Sequence, residues 1–239
     1  MNNYKKLYLQ IKKDLQGSTD AKYKKTMEGF IVGGKARKYG VRVPVLKKIV
    51  AGITKDLQNV DDWEFLDFIE ELYKGGSFEE MHLVCYLLSK RKSVLELIKW
   101  PLLKKWSESV DNWAINDNLS CLVIGPWVLL DFEGRVKYLE RLIVSKNLWD
   151  KRLALVSIII PNRHGLGWEK TLEFVEIVVK ERNPMIVKAV SWVLREMVRK
   201  GAASEVKTFL ERNKTVLAPL VVREVNNKIT TGLKNPKKS

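Results

Sequence analysis

Residues 185–200, MIVKAVSWVLREMVRK, read with the period of an α-helix. Ile186, Val190, Val193 and Met197 form one apolar stripe, and the opposite side carries Lys188, Trp192, Arg195 and Arg199. Asn183-Pro184 before the stretch and Gly201 after it are helix boundaries. Working outward, the same period recurs in Tyr4–Leu15, from Pro44, and from Asp61, an N-cap with Glu64 in capping-box spacing. It recurs again near 78–91, 101–108, 113–125, 132–145, 147–160, 167–181, 203–213 and 219–230. Breaks are expected at Gly75-Gly76, Gly125-Pro126 and Pro161–Gly167. The β-branched run Val156–Ile160 has helical neighbours and no hairpin turn, so it reads as helix. Short helix pairs recurring every 35–40 residues or so have the rhythm of HEAT-type repeats. The expectation is an all-α, HEAT-like helical-repeat superhelix with a concave face, one domain over 1–239, ending in a disordered basic tail at 232–239.

The charge says what such a face would hold. The chain has 43 Lys+Arg against 28 Asp+Glu, a formal net charge of +15. Residues 1–55 carry 14 basic and 3 acidic side chains, 56–134 carry 7 and 15, and 135–239 carry 22 and 10. Two basic arms around an acidic middle suit a polyanion held at both ends. Hydrophobic residues at 46% and charged residues at 30% exclude a disordered chain. The longest apolar stretches, around Cys121–Leu130 and Leu153–Pro161, fall short of the roughly 20 residues of a membrane span. The start lacks a continuous apolar core, so no secretory signal is read there, and a cytoplasmic protein is expected. Cys85 and Cys121 lie in apolar helical contexts and read as reduced core residues.

Several chemistries find no support. There is no GxxxxGK[ST] loop and no GxGxxG, and Gly33-Gly34 before Lys35-Ala36-Arg37-Lys38 is a basic turn. His82 and His164 are the only histidines, and no Cys/His cluster has zinc spacing, so neither metal nor cofactor is expected. His82, among apolar residues of a helix, reads as a satisfied, partly buried side chain rather than a ligand.

Two of the eight tryptophans stand off the apolar stripe of their own helix. One is Trp192, in the middle of the basic stripe, where it can be an aromatic platform between phosphate-binding cations or can pack on a neighbouring helix. The other is Trp113: in 113–125 the apolar stripe is Ile115, Leu119 and Leu122, with Trp113, Asp117 and Ser120 opposite. A tryptophan and a carboxylate one turn apart suit the stabilisation of transient positive charge. Asp117 can face an oxocarbenium-like sugar or orient a water, or it can pair with a cation inside the fold, for which Arg152 is a candidate.

At these residues the chain resembles the AlkD-like DNA alkylation-repair glycosylases, built of HEAT-like repeats. The resemblance runs through Tyr39-Gly40-Val41-Arg42-Val43-Pro44-Val45-Leu46-Lys47, Trp113-x3-Asp117 and Trp149-Asp150-Lys151-Arg152. It continues through Ile186–Glu196, with its Lys-Ala-x-x-Trp-x-Leu-Arg-Glu string, Leu217-Ala218-Pro219-Leu220 and Arg223-Glu224. The resemblance implies excision of cationic N3- and N7-alkylated purines from double-stranded DNA, without metal or cofactor and without a deep base pocket. It implies a catalytic cleft of Trp113, Asp117 and Trp192, with Arg152 and Arg195 on the DNA backbone, Lys188 on the same stripe as Arg195, and Tyr23 as a cleft tyrosine. Ala114, Asn116 and the loop Asn162–Trp168 depart from the family pattern.

The activity so implied is that of a monofunctional glycosylase acting as a monomer. No lysine lies three or four residues from Trp113 or Asp117, so no Schiff-base strand nicking is expected. Two other readings share the fold: a non-catalytic paralogue that binds branched or distorted DNA, and a HEAT-type protein-interaction scaffold.

Overall fold

The structure, a computed structural model, describes residues 4–31 and 34–236. Gly33 of the expected basic turn and residues 237–239 of the expected tail lie outside the described residues. The described residues form helices and no strand, as the sequence pattern predicts. The chain folds as two compact units, 1–123 and 124–239.

The first unit contains α1 (Tyr4–Gly17), α2 (Ala21–Phe30), α3 (Val43–Asp56), α4 (Asp62–Lys74), α5 (Phe78–Lys90), α6 (Val94–Leu97), α7 (Trp100–Glu108) and α8 (Trp113–Leu119). Its core is the shared apolar face of these helices, with Phe68, Ile69, Leu72, Leu83 and Leu88 at most 1% exposed. Side chains set the helix starts. Asp61 accepts from the Glu64 amide (2.9 Å), as its spacing predicts. A reciprocal capping box forms at α5: Ser77 accepts from the Glu80 amide at 3.2 Å, and the Glu80 carboxylate accepts from the Ser77 amide at 3.0 Å. Helix α2 is absent from the sequence reading because lysines crowd its weak apolar pattern. Its signal is the cap Asp20, which accepts from the Tyr23 amide at 2.8 Å.

The second unit contains α9 (Gly125–Leu130), α10 (Phe132–Ile143), α11 (Leu148–Ser157), α12 (Ile159–Arg163), α13 (Trp168–Ile177), α14 (Pro184–Arg199), α15 (Ala203–Asn213) and α16 (Pro219–Thr231). Helix α14 is its centre, packed on α11 and α16. The expected helix over 147–160 is divided at Ile158, and Pro161 lies inside α12, so the break falls at 164–167 instead. There Gly165 and Gly167 both take φ +77°, a left-handed conformation that side chains disfavour.

The expected break at Gly125-Pro126 does not occur. A π-helical turn, Ser120–Ile124, follows α8 and runs into α9. Where hydrogen bonding returns from the wider π pattern to the α pattern, a backbone donor has no regular partner, and Pro126 has none to place. The helix is therefore continuous over Trp113–Leu130, and by length and composition it is apolar enough to cross a bilayer. Half of it is buried inside the protein, as in the core helix of a folded domain.

The expected tail begins as a bend at 232–236 folded back on α16. The Asn227 amide donates to the Lys234 carbonyl (3.1 Å), and the Lys234 ammonium lies 3.3 Å from the Glu224 carboxylate.

Candidate functional site

In the first unit the construction starts at Asn112, a buried N-cap that accepts from the amides of Ala114 (3.1 Å) and Ile115 (3.0 Å). The cap fixes the phase of α8. Ile115 and Leu119 are then 1% exposed, while Trp113 and Asp117 are half-buried, as the helical wheel predicts. Ser120, expected beside them, is instead buried, together with Asn116. Trp113 and Asp117 line a cleft of about 450 Å³, and Tyr23 lines the same cleft. Its other walls are largely apolar, from Met27, Val41 and Leu46 among others.

Tyr23 is held from two sides. Its amide caps onto Asp20, and the Arg42 guanidinium lies 4.9 Å over its ring. Arg42 also pairs with Asp20 at 2.8 Å. The Tyr23 amide and the Arg42 hydrogen bond hold the Asp20 carboxyl below its usual range. Arg42 follows a loop with an unusual anchor: the buried Glu79 carboxylate accepts from the amides of Tyr39 (2.9 Å), Gly40 (2.8 Å) and Val41 (3.2 Å). Gly40 takes φ +85°, and a Cβ on it would stand 2.5 Å from the Lys24 Cβ, so this loop admits only glycine there. Sequence reasoning passed over Arg42 and Glu79. Arg42 lay in the quoted Tyr39–Lys47 motif, whereas Glu79 carried no signal, since an acidic residue in a first helical turn is ordinary.

The cleft also takes in His82 and Asn118. His82 is 5% exposed, and its Nδ1 lies 2.9 Å from the Asn118 side-chain nitrogen. Burial pushes its pKa down to about 4. It is thus the satisfied core residue that its context suggests, and a wall of the cleft as well.

In the second unit Asn183 caps α14 by accepting from the Met185 amide at 2.9 Å, and Pro184 opens it. Ile186, Val190, Val193 and Met197 are at most 3% exposed. On the other side Lys188 and Arg199 are exposed, and Trp192 and Arg195 half-buried. The cations are aimed by carboxylates. Arg195 donates to Ser191 Oγ (3.2 Å), Ser191 donates to Glu224 (2.6 Å), and Arg195 lies 3.8 Å from that buried carboxylate. Glu196 is bonded by Arg199 (2.6 Å) and Arg163 (2.9 Å). Burial works against its ionised form, but those two bonds and charges hold its carboxyl below the usual range. Arg152 is 5% exposed and donates to the Met185 carbonyl at 2.5 Å.

The structure thus brings Tyr23, Trp113 and Asp117 to one cleft in the first unit, and Lys188, Trp192 and Arg195 to one helix face in the second. Among the described residues no group of three or more His, Cys, Asp or Glu is placed to hold a metal ion.

A carboxylate and a tryptophan in a cleft suit a cationic group, and cations along a helix suit a polyanion. The comparisons with known proteins bear on the family and the fold. The family model described as DNA alkylation repair enzyme matches residues 11–229. No curated protein matches the sequence. A solved structure, a predicted DNA alkylation repair enzyme from Enterococcus faecalis, is similar in fold with a TM-score of 0.71 at 16% identity, over 90% of this chain and 98% of that one. At that identity the likeness speaks for the fold; the family model spans nearly the whole sequence, and on that ground the chain belongs to the DNA alkylation repair enzyme family.

Proposed function

We propose that the protein is a DNA glycosylase that hydrolyses the N-glycosidic bond of cationic N3- and N7-alkylated purines in duplex DNA. The observation that carries the reading is the single cleft lined by Tyr23, Trp113 and Asp117. An alkylated purine is already cationic and leaves as a neutral base, taking the electron pair of the C1′–N bond. The barrier is the positive charge that grows on the deoxyribose as this bond lengthens. Asp117 stabilises that charge, and Trp113 offers its ring face to the sugar. The oxygen of a water then bonds to C1′, and its proton passes to Asp117 or to solvent. Neither a metal nor a deep base pocket enters this chemistry.

Trp192 joins the cleft set in this reading through its likeness to the family pattern, and Lys188 and Arg195 take phosphates. Arg152, assigned to the DNA backbone by the same likeness, is 5% exposed and donates to the Met185 carbonyl at the start of α14. The protein would act as a monomer on double-stranded DNA. The test is release of methylated bases from methylated duplex DNA by wild type and Asp117→Asn, without added metal, at low and moderate salt. Release by wild type and not by the variant is the expected result. No release by either, with salt-sensitive binding that favours branched duplexes, would replace the glycosylase with a DNA-structure binder on the same fold.

A further inference from the structure

Helix α5 turns three rings toward the cleft at successive four-residue steps: Phe78, His82 and Tyr86. Phe78 meets the His82 ring edge to face at 4.3 Å, and the Tyr86 ring lies 6.1 Å from it. The imidazole is thus held between two aromatic neighbours. Its Nδ1 lies 2.9 Å from Asn118 Nδ2, a contact between residues 36 positions apart.

This contact fixes more than a distance. A carboxamide nitrogen only donates, so His82 Nδ1 accepts and the ring proton sits on Nε2. Burial keeps the ring neutral, as that tautomer requires. Asn118 follows Asp117 in the chain, and both line the cleft. A carboxamide left to itself beside a carboxylate would turn its N–H groups toward the negative charge. The acceptor on His82 engages one of them instead.

We infer that Asn118 is a second water-orienting group of the cleft, its carboxamide oxygen acting beside the Asp117 carboxylate, and that His82 is the positioning residue that sets the Asn118 amide. Two acceptors lining one cleft can between them receive both hydrogens of one water and turn its lone pair toward the electrophile. A cationic leaving group needs an oriented water more than a strong base, so a neutral amide suffices. The inference rests on the glycosylase reading.

The test combines single-turnover release of 7-methylguanine from methylated duplex DNA, DNA affinity, and ¹⁵N NMR of the histidine rings. His164 is the only other histidine, so one substitution assigns both rings. Wild-type His82 is expected with Nδ1 unprotonated and Nε2 protonated. Asn118→Leu should slow release by about tenfold or more with affinity within about twofold. His82→Leu should slow it similarly, and His82→Gln, a neutral side chain with an acceptor oxygen, should recover most of the rate. Should His82→Leu fail to fold, Asn118→Leu and the ring tautomer still decide the matter. Asp117→Asn separates the two levels. Full release by that variant ends the glycosylase reading itself. Loss of release there, with wild-type rates for Asn118→Leu and His82→Leu, overturns this inference alone, and so does a proton on Nδ1.

Discussion

Helices α8 and α14 each carry a tryptophan off the apolar stripe, yet they solve opposite problems. On α8 the tryptophan shares its face with one carboxylate in a cleft walled mainly by apolar and aromatic side chains. On α14 it stands among cations that buried or half-buried carboxylates hold from behind. Each unit also commits a buried glutamate, to different ends. Glu79 accepts three backbone amides and fixes a loop; Glu224 accepts a serine hydroxyl and lies near two cations, fixing side chains. Under the proposed function the contrast is a division of labour, with charge stabilisation in the first unit and grip on the phosphate backbone in the second.

Four experiments break or sharpen that contrast. The largest effect belongs to Asp117→Asn, expected to reduce single-turnover base release by about 10²–10³-fold while leaving DNA affinity nearly unchanged. An equal loss of affinity would put Asp117 among the gripping residues and erase the contrast. Next is Glu79→Ala, which strands three amides: a loss of about 3 kcal/mol, read as a Tm drop on the order of 10 °C. Glu224→Ala, measured alongside, should show first in DNA binding. Lys188→Ala and Arg195→Ala come third. Each should flatten the dependence of log K on log salt by about one, equally for methylated and unmethylated duplexes, with chemistry at saturation preserved. A change in the chemical step alone would move these cations into the cleft's work. The smallest effect is the pH response of Glu196. Its folded carboxyl lies below the ordinary value of 4.5, so its stabilisation is complete above that value and is lost as the pH falls through the lower one. Melting curves of wild type and Glu196→Gln should differ near neutrality and converge in acid.

Much of this arrangement was legible beforehand. The stripe on α14 could be read because sixteen residues of uninterrupted period separate its faces, and the structure buries the face that the wheel assigns to the core. The pairing of Trp113 with Asp117 was legible for the same reason. Ser120 escaped, since the π turn that begins there alters the phase on which the wheel depends. Gly125-Pro126 read as a stop because a proline interrupts an α-helix, and no local pattern announces a turn that can absorb it. Helix α2 escaped because its register is set by one capping carboxylate. The His82–Asn118 contact joins two helices far apart in the chain, and each residue alone has an ordinary surrounding. Arg152, expected at the phosphates, lies in a helix buried over Leu153–Ser157, an enclosure that a motif alone does not announce.

The loop at Tyr39–Val41 belongs to no helix, but its three amides end on one buried carboxylate. Irregular segments ordinarily trade their amide hydrogens with solvent within moments, whereas these are released only when α5 itself opens. In a deuterium-exchange map the loop would age with the helix core, and the base on which Arg42 and Tyr23 rest would be as durable as the first unit itself.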